Sequence, residues 1–118
     1  MTFSIVASNP GTKELCVATS TGLVAVGDLA PCILPNVGAV CVQAMVNPSY
    51  RENILDLMKK GFSNETAFDH VLKNDEKKEH RQIIVVNAKG QSHIFSGQKI
   101  IDISDSCMED NFAIAGNM

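Results

Sequence analysis

The chain has 118 residues, 45% of them hydrophobic and 19% charged, and a net charge of −3. This composition describes one soluble globular domain with room for a single core, not a disordered or fibrous chain. Ten Lys and Arg against thirteen Asp and Glu leave no basic surface to neutralise phosphates, so a nucleic-acid partner is excluded.

The first element is predicted at Thr2–Ala7, where Phe3, Ile5 and Ala7 alternate with Thr2, Ser4 and Val6 at the period of a strand. Asn9-Pro10-Gly11 is turn chemistry, so Glu14–Thr19 is expected to return as the second strand of a hairpin. Leu23–Val26, bracketed by Gly22 and Gly27, is predicted as a short third strand. Pro31 and Pro35 then impose an irregular connection before Gly38–Ala44. That run is apolar at consecutive positions, as in a strand covered on both faces.

Two helices follow. Ser49 and Glu52 have the spacing of a capping box, Tyr50, Ile54 and Met58 share one face with Leu55 beside them, and Gly61 is the expected stop. Ser63 is placed to cap the second helix, whose apolar positions are Ala67, Phe68, Val71 and Leu72. Asp75–Glu79 is a charge run, expected to be a solvated loop. Strand patterning returns at Gln82–Val86, a turn at Asn87–Gly90 leads to an antiparallel strand at Ser92–Ser96, and short strands are expected at Lys99–Ile103 and Asn111–Ala115. Strands, a helix pair, then strands describe a single α+β domain over residues 1–118.

No basic region precedes the first apolar run, which Asn9-Pro10-Gly11 interrupts, so no signal peptide is read. The longest apolar stretch, Ala30–Val46, carries two prolines, Asn36 and Gln43, and does not span a bilayer. A cytoplasmic location without membrane attachment is expected. Cys16, Cys32, Cys41 and Cys107 form no C-x-x-C pair and have no zinc spacing with His70, His80 or His93. Gly22-Leu-Val-Ala-Val-Gly27 lacks a nucleotide-binding glycine pattern. Neither metal nor cofactor is expected. Cys16, Cys32 and Cys41 sit in apolar contexts and are expected to be buried, leaving Cys107 as the exposed thiol.

Met1-Thr-Phe-Ser-Ile-Val-Ala7, Ala25-Val-Gly27, Gly38-Ala-Val40, Gln43-Ala44, Asn47-Pro-x-Tyr50, His80-Arg-Gln82 and Gly116-Asn-Met118 occur in this order. Together they resemble the family catalogued as domain of unknown function 1028, grouped with the N-terminal-nucleophile (Ntn) hydrolases. The resemblance implies a four-layer αββα sandwich of two antiparallel sheets, incomplete in this chain because the family continues past Met118. It further implies that the open sheet flank is covered, by a homo-oligomer or by the missing C-terminal segment. By superfamily membership it implies hydrolysis of an amide bond in a small amide or peptide-like substrate, without naming the substrate.

In that chemistry the first residue's hydroxyl attacks a carbonyl and its own α-amine takes the proton. Thr2 is therefore the candidate nucleophile, since a small second residue favours removal of the initiator methionine. Ser20, Thr21 and Arg81 are candidates for lining the cleft, with Arg81 suited to clamp a carboxylate. Gly38, Asn47 and Asn117 are oxyanion-binding candidates by residue type, which makes Asn47 a further substrate-binding candidate. Where the family pattern carries Ser-Lys, this chain reads Ser20-Thr21-Gly22-Leu23, without a positive charge. The alternative is a catalytically inactive Ntn-like module that binds a small ligand or a protein partner.

Overall fold

A computed structural model describes residues 1–118. The chain forms β1 (Thr2–Asn9), β2 (Glu14–Thr21), β3 (Pro31–Leu34), β4 (Gly38–Ala44), α1 (Ser49–Lys59), α2 (Asn64–Leu72), β5 (Arg81–Asn87), β6 (Ser92–Ser96), β7 (Ser104–Glu109) and β8 (Phe112–Asn117). The strands make two four-stranded sheets, ordered β2-β1-β8-β7 and β3-β4-β5-β6. All neighbours are antiparallel. The fold is α+β: two antiparallel sheets face each other, and both helices cover the outside of the second.

Side-chain alternation decides which residues go where. In β4 and β5 both faces are covered, because Ala39, Cys41, Ile84 and Val86 meet Val6, Ala113 and Ala115 of the first sheet. Val40, Val42, Ile83 and Val85 point the other way, onto Tyr50, Ile54, Leu55, Phe68 and Leu72 of the helices. Burying roughly 0.8 kcal/mol per methylene on both sides makes these strands the centre of the molecule. The outer face of the first sheet has no helix on it, and Phe3 there is 52% exposed. Neither helix is long and apolar enough to cross a membrane.

Five expectations are corrected. Leu23–Val26 is not a strand; the chain crosses there from the first sheet to the second, Leu23 and Val24 are exposed, and Val26–Asp28 forms a short 3-10 turn. Pro31–Leu34 is a strand rather than an irregular connection. It can be one because β3 lies at a sheet edge and Pro31 opens it, where a missing N–H costs little. The predicted strand at Lys99–Ile103 is displaced to Ser104–Glu109, since 97–103 spans the second crossing between sheets. Ser49 is the first residue of α1 and not its cap. Pro48 holds the cap position without a side-chain bond, and Asn47, one residue earlier, accepts at Oδ1 from the Ser49 amide at 3.3 Å and the Ser49 hydroxyl at 2.8 Å. Lastly, Cys16 is exposed together with Cys107, because strand alternation turns it onto the uncovered face.

Ser63 caps α2 as expected, accepting from the Thr66 amide at 3.1 Å. The charge run is a loop, but Asp75 is not solvated; it turns back onto Arg81.

Candidate functional site

The first four residues place two hydroxyls on the inner face of the first sheet. In the register of the hairpin Thr2 lies opposite Thr21, and Ser4 opposite Thr19. The Thr2 and Thr21 hydroxyl oxygens are 3.0 Å apart, and the Thr21 hydroxyl donates to the Met1 carbonyl at 3.1 Å. A cleft of about 360 Å³ opens beside them, walled by Thr2, Thr21, Val26, Gln43, Ala44 and Met118. Ala44, where β4 ends, has φ of +65°, a left-handed conformation costly for a residue with a Cβ.

Behind the cleft a polar network fills the space between the sheets. Ser4 Oγ donates to Gln43 Oε1 at 2.6 Å, and Gln43 Nε2 donates to Gln82 Oε1 at 2.7 Å. Asn117 Nδ2 reaches the same Gln82 oxygen at 3.2 Å. Gln82 Nε2 donates to Ser96 Oγ at 3.1 Å and to the Asp105 carbonyl at 3.3 Å. That carbonyl can only accept, so it fixes which end of the Gln82 amide faces it. The orientation propagates: Gln43 and Asn117 must both present nitrogen to Gln82, and Gln43 must present oxygen to Ser4. Asn117 Oδ1 is left buried without a partner. Cys41 Sγ lies 3.3 Å from Ser4 Oγ, and burial pushes its thiol pKa up, so it is a protonated donor here.

Of the sequence candidates, Thr2 and Thr21 are brought together. Ser20 is one residue along β2 and therefore on the opposite, exposed face. Asn47 is engaged at the start of α1. Gly38 begins β4 and pairs with Asn87, at the opposite end of the strand from Gln43. Arg81 precedes Gln82, so its side chain points to the helical side rather than between the sheets. There its Nε and Nη2 bond Asp75, its Nη1 donates to the Met45 carbonyl, and its guanidinium lies 5.2 Å from the Tyr50 ring centre. Tyr50 donates its hydroxyl to the same carboxylate. The guanidinium holds the Asp75 carboxyl well below the usual carboxylate range, and burial with the Asp75 charge pushes the Tyr50 phenol up to about 12.

Gln43 and Gln82 carried no role in the sequence reading, although a signal was present. Gln43 is the one amide of the otherwise apolar β4, Gln82 stands directly before the apolar run Ile83–Val86 of β5, and both are buried, so each needs a partner. No group of three His, Cys, Asp or Glu side chains converges to hold a metal ion.

The crystal structure of a DUF1028 protein from Silicibacter pomeroyi superposes on this chain with a TM-score of 0.92 at 30% sequence identity. The match covers 99% of this chain and 52% of that one, so this chain spans about half the length of that relative. No curated protein matches it. The model of a family of unknown function, DUF1028, matches residues 2–118, and the chain belongs to that family.

Proposed function

We propose that the chain carries an Ntn-type amidohydrolase site, with Thr2 as nucleophile once Met1 is removed. The observation that supports this reading is the place of the Thr2 hydroxyl. It stands on the wall of the cleft, at the head of β1, bonded to Thr21 and in front of the buried amide network. In the reaction Thr2 Oγ1 bonds to the carbonyl carbon of a small amide or peptide-like substrate. Its proton passes to the α-amine and then to the departing amine as the C–N bond breaks, and water hydrolyses the resulting ester. Gln43 and Asn117 each give one of their two side-chain N–H groups to Gln82, which leaves a second N–H on each, beside backbone N–H groups, to hold the developing oxyanion.

The same reading extends to the architecture. Phe3, Ile5 and Ile114 on the open face of the first sheet favour a fourth, helical layer of an αββα sandwich, supplied by further chain or replaced by a second copy. Four unpaired cysteines favour a reducing, cytoplasmic setting.

The second reading is an inactive module that binds a small ligand or a protein partner, and it requires that Met1 be retained. With Met1 attached, the Thr2 nitrogen is an amide with no basic lone pair, and the Thr21 proton is held by the Met1 carbonyl. Intact mass and N-terminal sequencing of the protein from its native host separate the two. A chain beginning at Thr2, with amide hydrolysis lost in Thr2→Ala, is expected. Quantitative retention of Met1 refutes the nucleophile and leaves the binding module.

A further inference from the structure

We infer that Met1 and Thr21 form a proton switch on Thr2: the Met1 carbonyl holds the Thr21 hydroxyl proton, and removal of Met1 turns that proton onto the Thr2 oxygen. The inference rests on the reading of Thr2 as the nucleophile and assigns Thr21 as the residue that positions it.

Proton counting carries the argument. A threonine hydroxyl has one proton to give and two lone pairs to offer. Thr21 gives its proton to the Met1 carbonyl at 3.1 Å, and its oxygen faces the Leu23 amide at 3.4 Å. The 3.0 Å contact between the two threonines must then use the proton of Thr2. In this state Thr2 donates sideways, away from its own nitrogen, and that nitrogen is an amide. The hydroxyl is held in the wrong sense for attack.

Removing Met1 changes both ends at once. The carbonyl that held the Thr21 proton is gone, and the Thr2 nitrogen becomes an amine. The acceptor left within reach of Thr21 is Thr2 Oγ1. Once Thr2 accepts there, its own proton is released toward its α-amine. The chain of donors then runs from the Leu23 amide through Thr21 and Thr2 to the amine, each bond polarising the next. This sense favours attack, because the Thr2 proton departs to the amine while Thr21 stabilises the charge left on the oxygen. Register makes the arrangement durable: Thr2 and Thr21 are directly paired across β1 and β2, where opposed side chains are closest.

The test uses the chain with Met1 removed, obtained by cleaving a leader ahead of Thr2. It compares the unchanged chain with Thr21→Val and Thr21→Ser. Valine keeps the branched shape suited to a strand and removes the hydroxyl; serine restores it. Thr21→Ala replaces valine if that variant does not fold. One readout is the three-bond carbon coupling that reports the Thr2 χ1 rotamer. The other is the rate at which a β-lactone acylates Thr2, with the adduct located by peptide mass spectrometry. In that step Thr2 Oγ1 bonds to the lactone carbonyl carbon and the ring acyl C–O bond breaks. The hydroxyl proton passes through the α-amine to the departing alkoxide.

Thr2 is expected to hold one rotamer in the unchanged chain and in Thr21→Ser, and to average rotamers in Thr21→Val. Acylation is expected to slow about tenfold in Thr21→Val, the loss of one hydrogen bond to a charged group, and to recover in Thr21→Ser. A Thr2 rotamer that is the same in all three chains, or a measurable acylation rate that is the same in all three, overturns the switch. A rotamer that Thr21→Val releases, with no acylation of any chain, supports the hydroxyl contact and overturns Thr2 as the nucleophile.

Discussion

Gln82→Leu isolates what the buried amide network contributes to stability. Leucine has a similar volume and no hydrogen-bonding group. The substitution strands the donors Gln43 Nε2 and Asn117 Nδ2, whose residues are 1% and 4% exposed. Ser96 and Asp105 also lose a partner, but both are exposed and water replaces it. Each stranded buried donor costs about 1–3 kcal/mol, and the transfer of leucine into the core offsets about 1–2 kcal/mol of the total. The expected net loss is about 2–3 kcal/mol, read as a lower urea midpoint at unchanged slope. Gln43→Leu should cost less, about 1 kcal/mol, because Ser4 keeps Thr19 and Cys41 nearby while the Gln82 oxygen keeps Asn117. The double variant removes both amides together and should fall short of the sum by about 1 kcal/mol. A Gln82→Leu cost below about 0.5 kcal/mol, or strict additivity of the two, would refute the coupled network.

The Asp75–Arg81–Tyr50 cluster should appear as pH dependence at both extremes. The folded Asp75 carboxyl is depressed by Arg81, so its stabilisation is complete above the unfolded value, about 3.9, and is lost as pH falls below it; Asp75→Asn should abolish this acid-side slope. Tyr50 is raised to about 12, so stability should fall as pH rises from about 10, where the unfolded phenol ionises first, toward that value. As the chain has one tyrosine and no tryptophan, ultraviolet titration reads it directly, and a midpoint near 10 would contradict the assigned contact. Gly38→Ala would set a Cβ 2.6 Å from the Val86 carbonyl oxygen and 2.7 Å from the Met58 methyl. The expected cost is about 1–3 kcal/mol in thermal or urea unfolding, and an unchanged midpoint would show that β4 and β5 are less closely paired than described.

Much of the fold follows from local patterning because neighbouring residues settle it. Alternation in Thr2–Ala7, consecutive apolar residues in Gly38–Ala44 and Gln82–Val86, and the Ser63 cap are each complete within a few positions. The crossings between sheets at 22–30 and 97–103 are different. Their apolar residues resemble strands, and only the separation of the two sheets decides that the backbone must turn there. Cys16 shows the same limit, since an apolar neighbourhood does not say which face of a strand is covered.

The candidate site divides along the same line. The sequence alone determined a threonine directly behind the initiator methionine on a strand, a second threonine one hairpin away, and lone glutamines in two apolar strands. Pairing of Thr2 with Thr21 required the hairpin register, and the meeting of Gln43, Gln82 and Asn117 required three strands from two sheets. Arg81 was turned away from the cleft by one residue of strand alternation and captured by Asp75. Chemistry was written in the residue types; which of them touch was decided by register and by the facing of the sheets, because those long-range contacts leave no mark on local spacing.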